Sequence, residues 1–146
     1  MDIWPLLDKL PFFSTFTDAE KTKLLKMDCY FATFAPGEYL MREGVVDNNA
    51  LFVLLKGRAQ VTKNSNPKTV IATLERGMVV GEISFLTNQA RTSNVMATEP
   101  MLCFTINNQT MEELTFQLQH KIKDRLILLL VNRLQSKDKE LLALMG

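Results

Sequence analysis

The chain has 146 residues, 47% of them hydrophobic and 23% charged, the balance of one ordinary folded domain, which excludes a disordered chain. With 17 Lys plus Arg against 16 Asp plus Glu, the formal charge is +1, so no global electrostatic footprint for nucleic acid or an anionic membrane is visible. The longest purely aliphatic run, Leu126 to Val131, is far too short to span a bilayer. The start, MDIWPLLDKL, carries Asp2 and Asp8 and lacks the basic and apolar regions of a signal peptide, so no membrane insertion and a cytoplasmic location are expected.

Three segments are expected in chain order: 1–29 helical, 30–107 β, and 108–146 helical, together making one domain over 1–146. In the first, Pro11-Phe12-Phe13 and Phe16 form an apolar loop. Thr17-Asp18-Ala19-Glu20 then fits a capping box and predicts a helix to about Met27 with Leu24 and Leu25 on one face. From Tyr30 to Ile106 short β-branched and aromatic runs follow: YFATF, EYLMRE, ALFVLL, RAQVTK, TVIATL, NVMAT and MLCFTI. Gly37, Gly44, Gly57 and Gly77 punctuate them and Asn64-Ser65-Asn66-Pro67 makes a hairpin-like turn, the spacing of an all-β barrel or sandwich. Cys29 and Cys103 sit in apolar runs with no CxxC pair and read as reduced, structural thiols. Met27, Met41, Met78, Met96 and Met101 are expected to fill the core.

The last segment predicts a helix over Thr110 to Leu118 and a longer one from about Gln119 to Leu144. In the long helix Ile122, Leu126 and Leu129 form one apolar stripe. Ile127, Leu130, Leu134, Leu141 and Leu144 form a second, in alternating steps of three and four interrupted by Lys137. A helix apolar on two faces needs two partners. One is the β core; the other is a dimer mate or a bound ligand.

One residue in the β segment stands out. Glu82 lies directly behind Gly81, between Val79-Val80 and Ile83, where an unpaired buried carboxylate would cost several kcal/mol and so demands solvent or a partner. Arg91 is the nearest basic residue on its C-terminal side.

The layout of helix, glycine-punctuated roll and two helices resembles the cyclic nucleotide-binding domain family, and three stretches carry the resemblance. PGEYLMREG (36–44) is similar to the family's first glycine hairpin, LFVLLKGRAQV (51–61) to its central strand pair, and GEISFLTNQARTSNVMA (81–97) to its phosphate-binding cassette. The resemblance implies a mainly β fold with flanking helices, a double-stranded β-helix or jelly-roll-like β-roll with an N-terminal helix and two C-terminal helices. It also implies a ligand, a 3′,5′-cyclic nucleotide, cAMP or cGMP, with no further cofactor. On the cassette, Gly81 lets the backbone approach closely. Ile83 and Ser84 present N–H groups to the phosphate at the start of a helical turn, where such groups lack intrahelical partners. Ile83 and Phe85 anchor that turn in the core. Arg91 is carried over as the phosphate ligand and Glu82 as acceptor from the ribose 2′-hydroxyl. Thr92 and Ser93 follow the arginine, and the hydroxyl of Thr92 does not decide between the purines. Arg133, in Asn132-Arg133-Leu134, resembles the position from which the family's last helix folds over the purine, and reads equally as a plain helix-face arginine. Ala90, Ser93 and Asn94 depart from the pattern, at places expected to tune the loop and the purine preference.

With one histidine, His120, neither a metal site of the related cupin rolls nor a Ser-His-Asp or Cys-His set can be assembled, so the expectation is a binding domain with no catalytic residues and no metal. The chain stops at Gly146, before any helix-turn-helix of the catabolite-activator type or a kinase or channel domain, so a separate, unknown downstream protein, or a homodimer through the C-terminal helix, is expected to receive the signal. The alternative is an interaction or dimerisation module on the same roll, with an empty pocket and Ile127, Leu130, Leu134 and Leu141 as the seam.

Overall fold

The computed structural model describes the backbone of residues 2–145, and the side chains of all of these except Cys29 and 138–145. The expectations for Cys29, Leu141 and Leu144 therefore lie outside the described side chains. Two four-stranded antiparallel sheets form the roll: β1 (Phe31–Phe34), β8 (Met101–Ile106), β3 (Leu51–Lys56) and β6 (Val79–Val80) in that order, and β2 (Tyr39–Met41), β7 (Asn94–Ala97), β4 (Ala59–Thr62) and β5 (Ala72–Leu74) in the other. Helices α1 (Trp4–Asp8), α2 (Asp18–Leu25), α3 (Glu82–Thr87), α4 (Asn108–Glu112) and α5 (Phe116–Met145) complete the chain. Each of the seven expected strand runs contains a strand. The eighth, β6, is two residues long and pairs with β3 through Phe52↔Val80 and Val53↔Val79.

The run ALFVLL explains the layering. A strand covered on both faces reads as unbroken apolar sequence. In β3 Leu51, Val53 and Leu55 face the helices while Phe52 and Leu54 face the interior of the roll. β8 divides in the same way, with Phe104 and Ile106 toward the helices and Met101 and Cys103 inside. Burial pushes the Cys103 thiol up to about 12. The helical layer is aromatic: Phe13 meets Phe104 edge-on with ring centroids 5.2 Å apart, and Tyr30 stacks on Phe104 at 6.2 Å.

The capping box is present as expected: Thr17 Oγ1 accepts from Glu20 N at 3.1 Å and Glu20 Oε1 accepts from Thr17 N at 2.8 Å. Helix α2 ends at Leu25, two residues short of the expected Met27, because a 3-10 turn, Asp28–Tyr30, leads into β1. The C-terminal helices break earlier than the expected 118/119 boundary. Asn107 caps α4 through Thr110 N at 2.9 Å, and the Thr115 hydroxyl accepts from Leu118 N at 3.2 Å, which starts α5 at Phe116. Of the expected core methionines, Met41 and Met101 are buried and Met27 and Met96 half-buried. Met78 is exposed at 42%, its sulfur taking the Glu75 N–H in a surface turn.

Helix α5 docks by its first stripe. Ile122 and Leu126 are buried and Leu129 packs partly against the same core, while Ile127 and Leu134 of the second stripe are exposed and Leu130 is half-buried. Lys121 Nζ lies 2.5 Å from Glu20 Oε1 and Arg125 donates to the Pro11 carbonyl, which fastens α5 to the N-terminal segment. Burial by itself would push the Glu20 carboxyl up, but the hydrogen bonds from Lys121 and from Thr17 outweigh it and hold the group below its ordinary range. No helix among the described residues is long and apolar enough to cross a membrane.

Candidate functional site

The site is built where β6 turns into α3. Gly81 adopts φ +89°, a left-handed conformation, and an added Cβ would sit 2.7 Å from the Ala50 carbonyl oxygen and 3.0 Å from Arg91 Nη1. The glycine is thus required by the fold before any ligand arrives. It also puts the arginine tip directly against the start of α3, whose first N–H groups have no intrahelical acceptor. Phe85 and Ser84 are buried and anchor the turn, and the Ser84 hydroxyl donates to the Ala90 carbonyl at 3.4 Å. Ile83 does not join them. It is 45% exposed, because a helix of six residues presents only one side to the core and Ser84 and Phe85 occupy it.

Arg91 and Glu82 answer the question of buried charge separately. The Arg91 side chain is 1% exposed and pairs side-on with Asp47, Nη2 to Oδ1 at 2.9 Å and Nε to Oδ2 at 3.0 Å. Its backbone is held as well, Arg91 N donating to Val45 O at 3.0 Å and Gly44 N to Arg91 O at 2.8 Å. Nη1 is left buried without a partner, facing Gly81. An orphaned buried donor costs about 1–3 kcal/mol, so it marks a place where an acceptor is wanted. Glu82, also buried, accepts from Arg133 Nη1, and Arg133 Nη2 donates to the Val79 carbonyl at 2.9 Å. The arginine of α5 therefore lies across the mouth of the turn.

Gly81, Glu82, Ile83, Ser84, Thr92 and Ser93 line one cavity of about 70 Å³, floored by Met41 and Val80. That volume suits a group of phosphate size and is well below the roughly 300 Å³ at which pockets enclose whole organic ligands. Glu82 and Ile83 are shared with an adjoining groove of about 660 Å³, walled by Leu129, Leu130, Arg133 and Leu134 of α5. The eight residues expected from sequence are thus neighbours: six around the cavity, Arg91 behind Gly81 and Arg133 on Glu82.

Asn94, one of the departures from the family pattern, does not reach the cavity. It is buried, accepting from Glu43 N at 2.9 Å through Oδ1 and donating to Asn64 Oδ1 at 2.8 Å through Nδ2, and so ties the cassette to the β4–β5 hairpin. Lys63 adds a second tie by donating to the Thr92 carbonyl. At the other end of α3, Asn108 donates to Asn88 Oδ1 at 3.0 Å and to Phe85 O at 3.3 Å, linking the turn to α4. Asp47 is the residue that sequence reasoning missed. It stands 44 residues before Arg91 in an irregular loop, and its only local signal is an Asx turn, Asn49 N donating to Oδ1 at 2.7 Å. Among the described residues no cluster of His, Cys, Asp and Glu is placed to hold a metal ion.

Residues 31–117, more than half of the chain, match the cyclic nucleotide-binding domain family. A cGMP-dependent protein kinase of Eimeria tenella is 29% identical over 115 residues, 78% of this chain and 11% of the kinase. Human cGMP-dependent protein kinase 2 is 30% identical over 81 residues, 53% of this chain and 10% of the kinase. The chain spans about a tenth of the length of these curated relatives. Among solved structures, the catabolite activator protein of Thermus thermophilus superposes with a TM-score of 0.75 at 23% identity, over 92% of this chain and 63% of that one. A cyclic nucleotide-binding domain from Methylobacillus flagellatus gives 0.75 at 23% identity, over 97% and 81%. At such identities the superpositions speak for the fold. With the sequence match over the β-roll and the fold in agreement, the chain belongs to the cyclic nucleotide-binding domain family.

Proposed function

We propose that this chain is a regulatory, non-enzymatic domain that binds cAMP or cGMP and reports the binding through movement of α5. The cyclic phosphate enters the small cavity at Gly81, between the first N–H groups of α3 and Arg91 Nη1. The ribose 2′-hydroxyl donates to Glu82, and the purine lies toward the apolar groove beside Leu130 and Leu134. The observation that carries this reading is the buried, unpartnered Nη1 of Arg91, set close against Gly81 at the start of α3. The names of the relatives lend support, since the two kinases described above are called cGMP-dependent. Because a ligand can shift α5 only by favouring one of its positions, the contact between Arg133 and Glu82 is the natural coupling point.

Calorimetry of the full chain with cAMP and with cGMP tests the reading. Binding of at least one is expected, and Arg91→Leu is expected to weaken it by about 2–5 kcal/mol because a buried phosphate charge loses its partner. No binding of either nucleotide at millimolar concentration would sink the reading. A second role is favoured by the exposure of Ile127, Val131 and Leu134 along one side of α5: pairing with a second copy through that face.

A further inference from the structure

We propose that Asn94 is a positioning residue that joins the ligand cavity to the β4–β5 hairpin, so that the hairpin tightens when a cyclic nucleotide binds. The inference rests on the cyclic nucleotide reading above and concerns a residue outside the cavity. Thr92 and Ser93, which line the cavity, lie between α3 and β7 and belong to neither. Their place is set by what fixes the residues on either side. On one side Arg91 exchanges backbone hydrogen bonds with Gly44 and Val45. On the other stands Asn94, the first residue of β7, only 6% exposed. Three hydrogen bonds close a ring there: Glu43 N donates to Asn94 Oδ1 at 2.9 Å, Asn94 Nδ2 to Asn64 Oδ1 at 2.8 Å, and Asn64 N to Glu43 Oε1 at 3.3 Å. A carboxamide suits the central place because it accepts through one atom and donates through the other, whereas a carboxylate only accepts.

The hairpin tip, residues 64–70, is exposed along its length. Its backbone bonds are local turns, Asn66 N to Lys63 O and Thr69 N to Asn66 O, both at 3.1 Å, while Asn64 and Lys63 reach the cassette. A hydrogen bond in contact with water adds little net stability, so the cavity wall and the tip are each lightly held and each limits the freedom of the other. A ligand that orders Thr92 and Ser93 therefore orders the hairpin, because coupling between two sites is reciprocal. The hairpin becomes a second element, apart from α5, that feels occupancy of the cavity.

Hydrogen exchange of the full chain tests this at the Asn64, Asn66 and Thr69 amides, without and with saturating cAMP or cGMP, whichever binds more tightly. None of the three residues lines the cavity or the groove, so a change there is not direct cover by the ligand. In wild type the nucleotide is expected to slow these amides by about threefold or more. Asn94→Leu is similar in size but makes no side-chain hydrogen bond, and Asn64→Ala cuts the ring from its exposed side. Both are expected to abolish the slowing and to weaken nucleotide binding by about threefold to tenfold. Asn64→Asp keeps an acceptor for Asn94 Nδ2 and is expected to retain the slowing. An asparagine that only stabilised the fold would lower the melting temperature in the variants and leave the ligand-dependent slowing as it was. Equal exchange with and without nucleotide in wild type, slowing retained in Asn64→Ala, or slowing lost in Asn64→Asp overturns the role of Asn94. If Asn94→Leu does not fold, Asn64→Ala, at an exposed position, decides. If neither nucleotide binds wild type, the cyclic nucleotide reading falls and this role with it, whereas binding without a hairpin response overturns the role of Asn94 alone.

Discussion

Up to Leu126, helix α5 buries Leu118, Ile122 and Leu126 to 1% exposure or less, whereas beyond it Ile127, Val131 and Leu134 stand 42 to 62% exposed. The two halves are held by different physics. The docked half shares the aromatic core with Phe13 and Phe104, and each buried aliphatic side chain there contributes on the order of 1.5–3 kcal/mol. Over the site, among the described residues, the outer half is fastened by partial packing of Leu129 and by Arg133, whose ion pair has a 41% exposed arginine and is screened by solvent to about 0–1 kcal/mol. A continuous helix anchored firmly through its first half and lightly through the described residues beyond it is a lever, and the lightly held stretch is the one that touches Glu82.

The comparison can be broken first at its strong end. Ile122→Ala is expected to destabilise the chain by about 2–5 kcal/mol, read as a lower urea midpoint; a loss under about 0.5 kcal/mol would show that the docked half is no anchor. Next comes acid. The Glu20 carboxyl titrates below its ordinary value of 4.5 in the folded chain, so its contribution is fully present above that value and is lost as pH falls below it. Stability should drop over that range and the drop should shrink in Glu20→Gln; identical acid limbs for the two proteins would remove the Lys121 tie from the account. The smallest effect on stability belongs to the outer half. Leu134→Gln should leave the unfolding free energy from urea titration within about 0.5 kcal/mol of wild type. If that face pairs with a second copy, the same change lowers the mass seen in sedimentation, and an unaltered mass would leave the exposed stripe without that role.

The parts legible in the sequence are those whose physics is local. Thr17 and Glu20 are three residues apart, so their capping box could be read directly, and the alternating or unbroken apolar runs located the strands. The cassette was legible through its resemblance to the family, in which Gly81, Glu82 and Arg91 keep their spacing. What was hidden depends on distant chain segments. Strand β6 exists because Phe52 and Val53 offer it a ladder, and two valines alone carry no strand signal. Asp47 looked like any loop aspartate until folding brought it 2.9 Å from Arg91. Ile83 was misplaced because apolar character alone does not say which side of a one-and-a-half-turn helix faces inward. The Thr115 cap, by contrast, was present in the sequence and outweighed by the apolar periodicity around it.

Cys103 gives the roll a clock. Its thiol is fully enclosed at the middle strand of one sheet and is pushed up to about 12, so the reactive thiolate is scarce and no reagent reaches it in the closed fold. Modification can proceed only during moments when the strands part, and its rate counts those moments. In a Cys29→Ser background, slow labelling that stays unchanged when α5 is displaced would place the motion in the lever alone. Faster labelling would mean that the barrel itself breathes with each stroke.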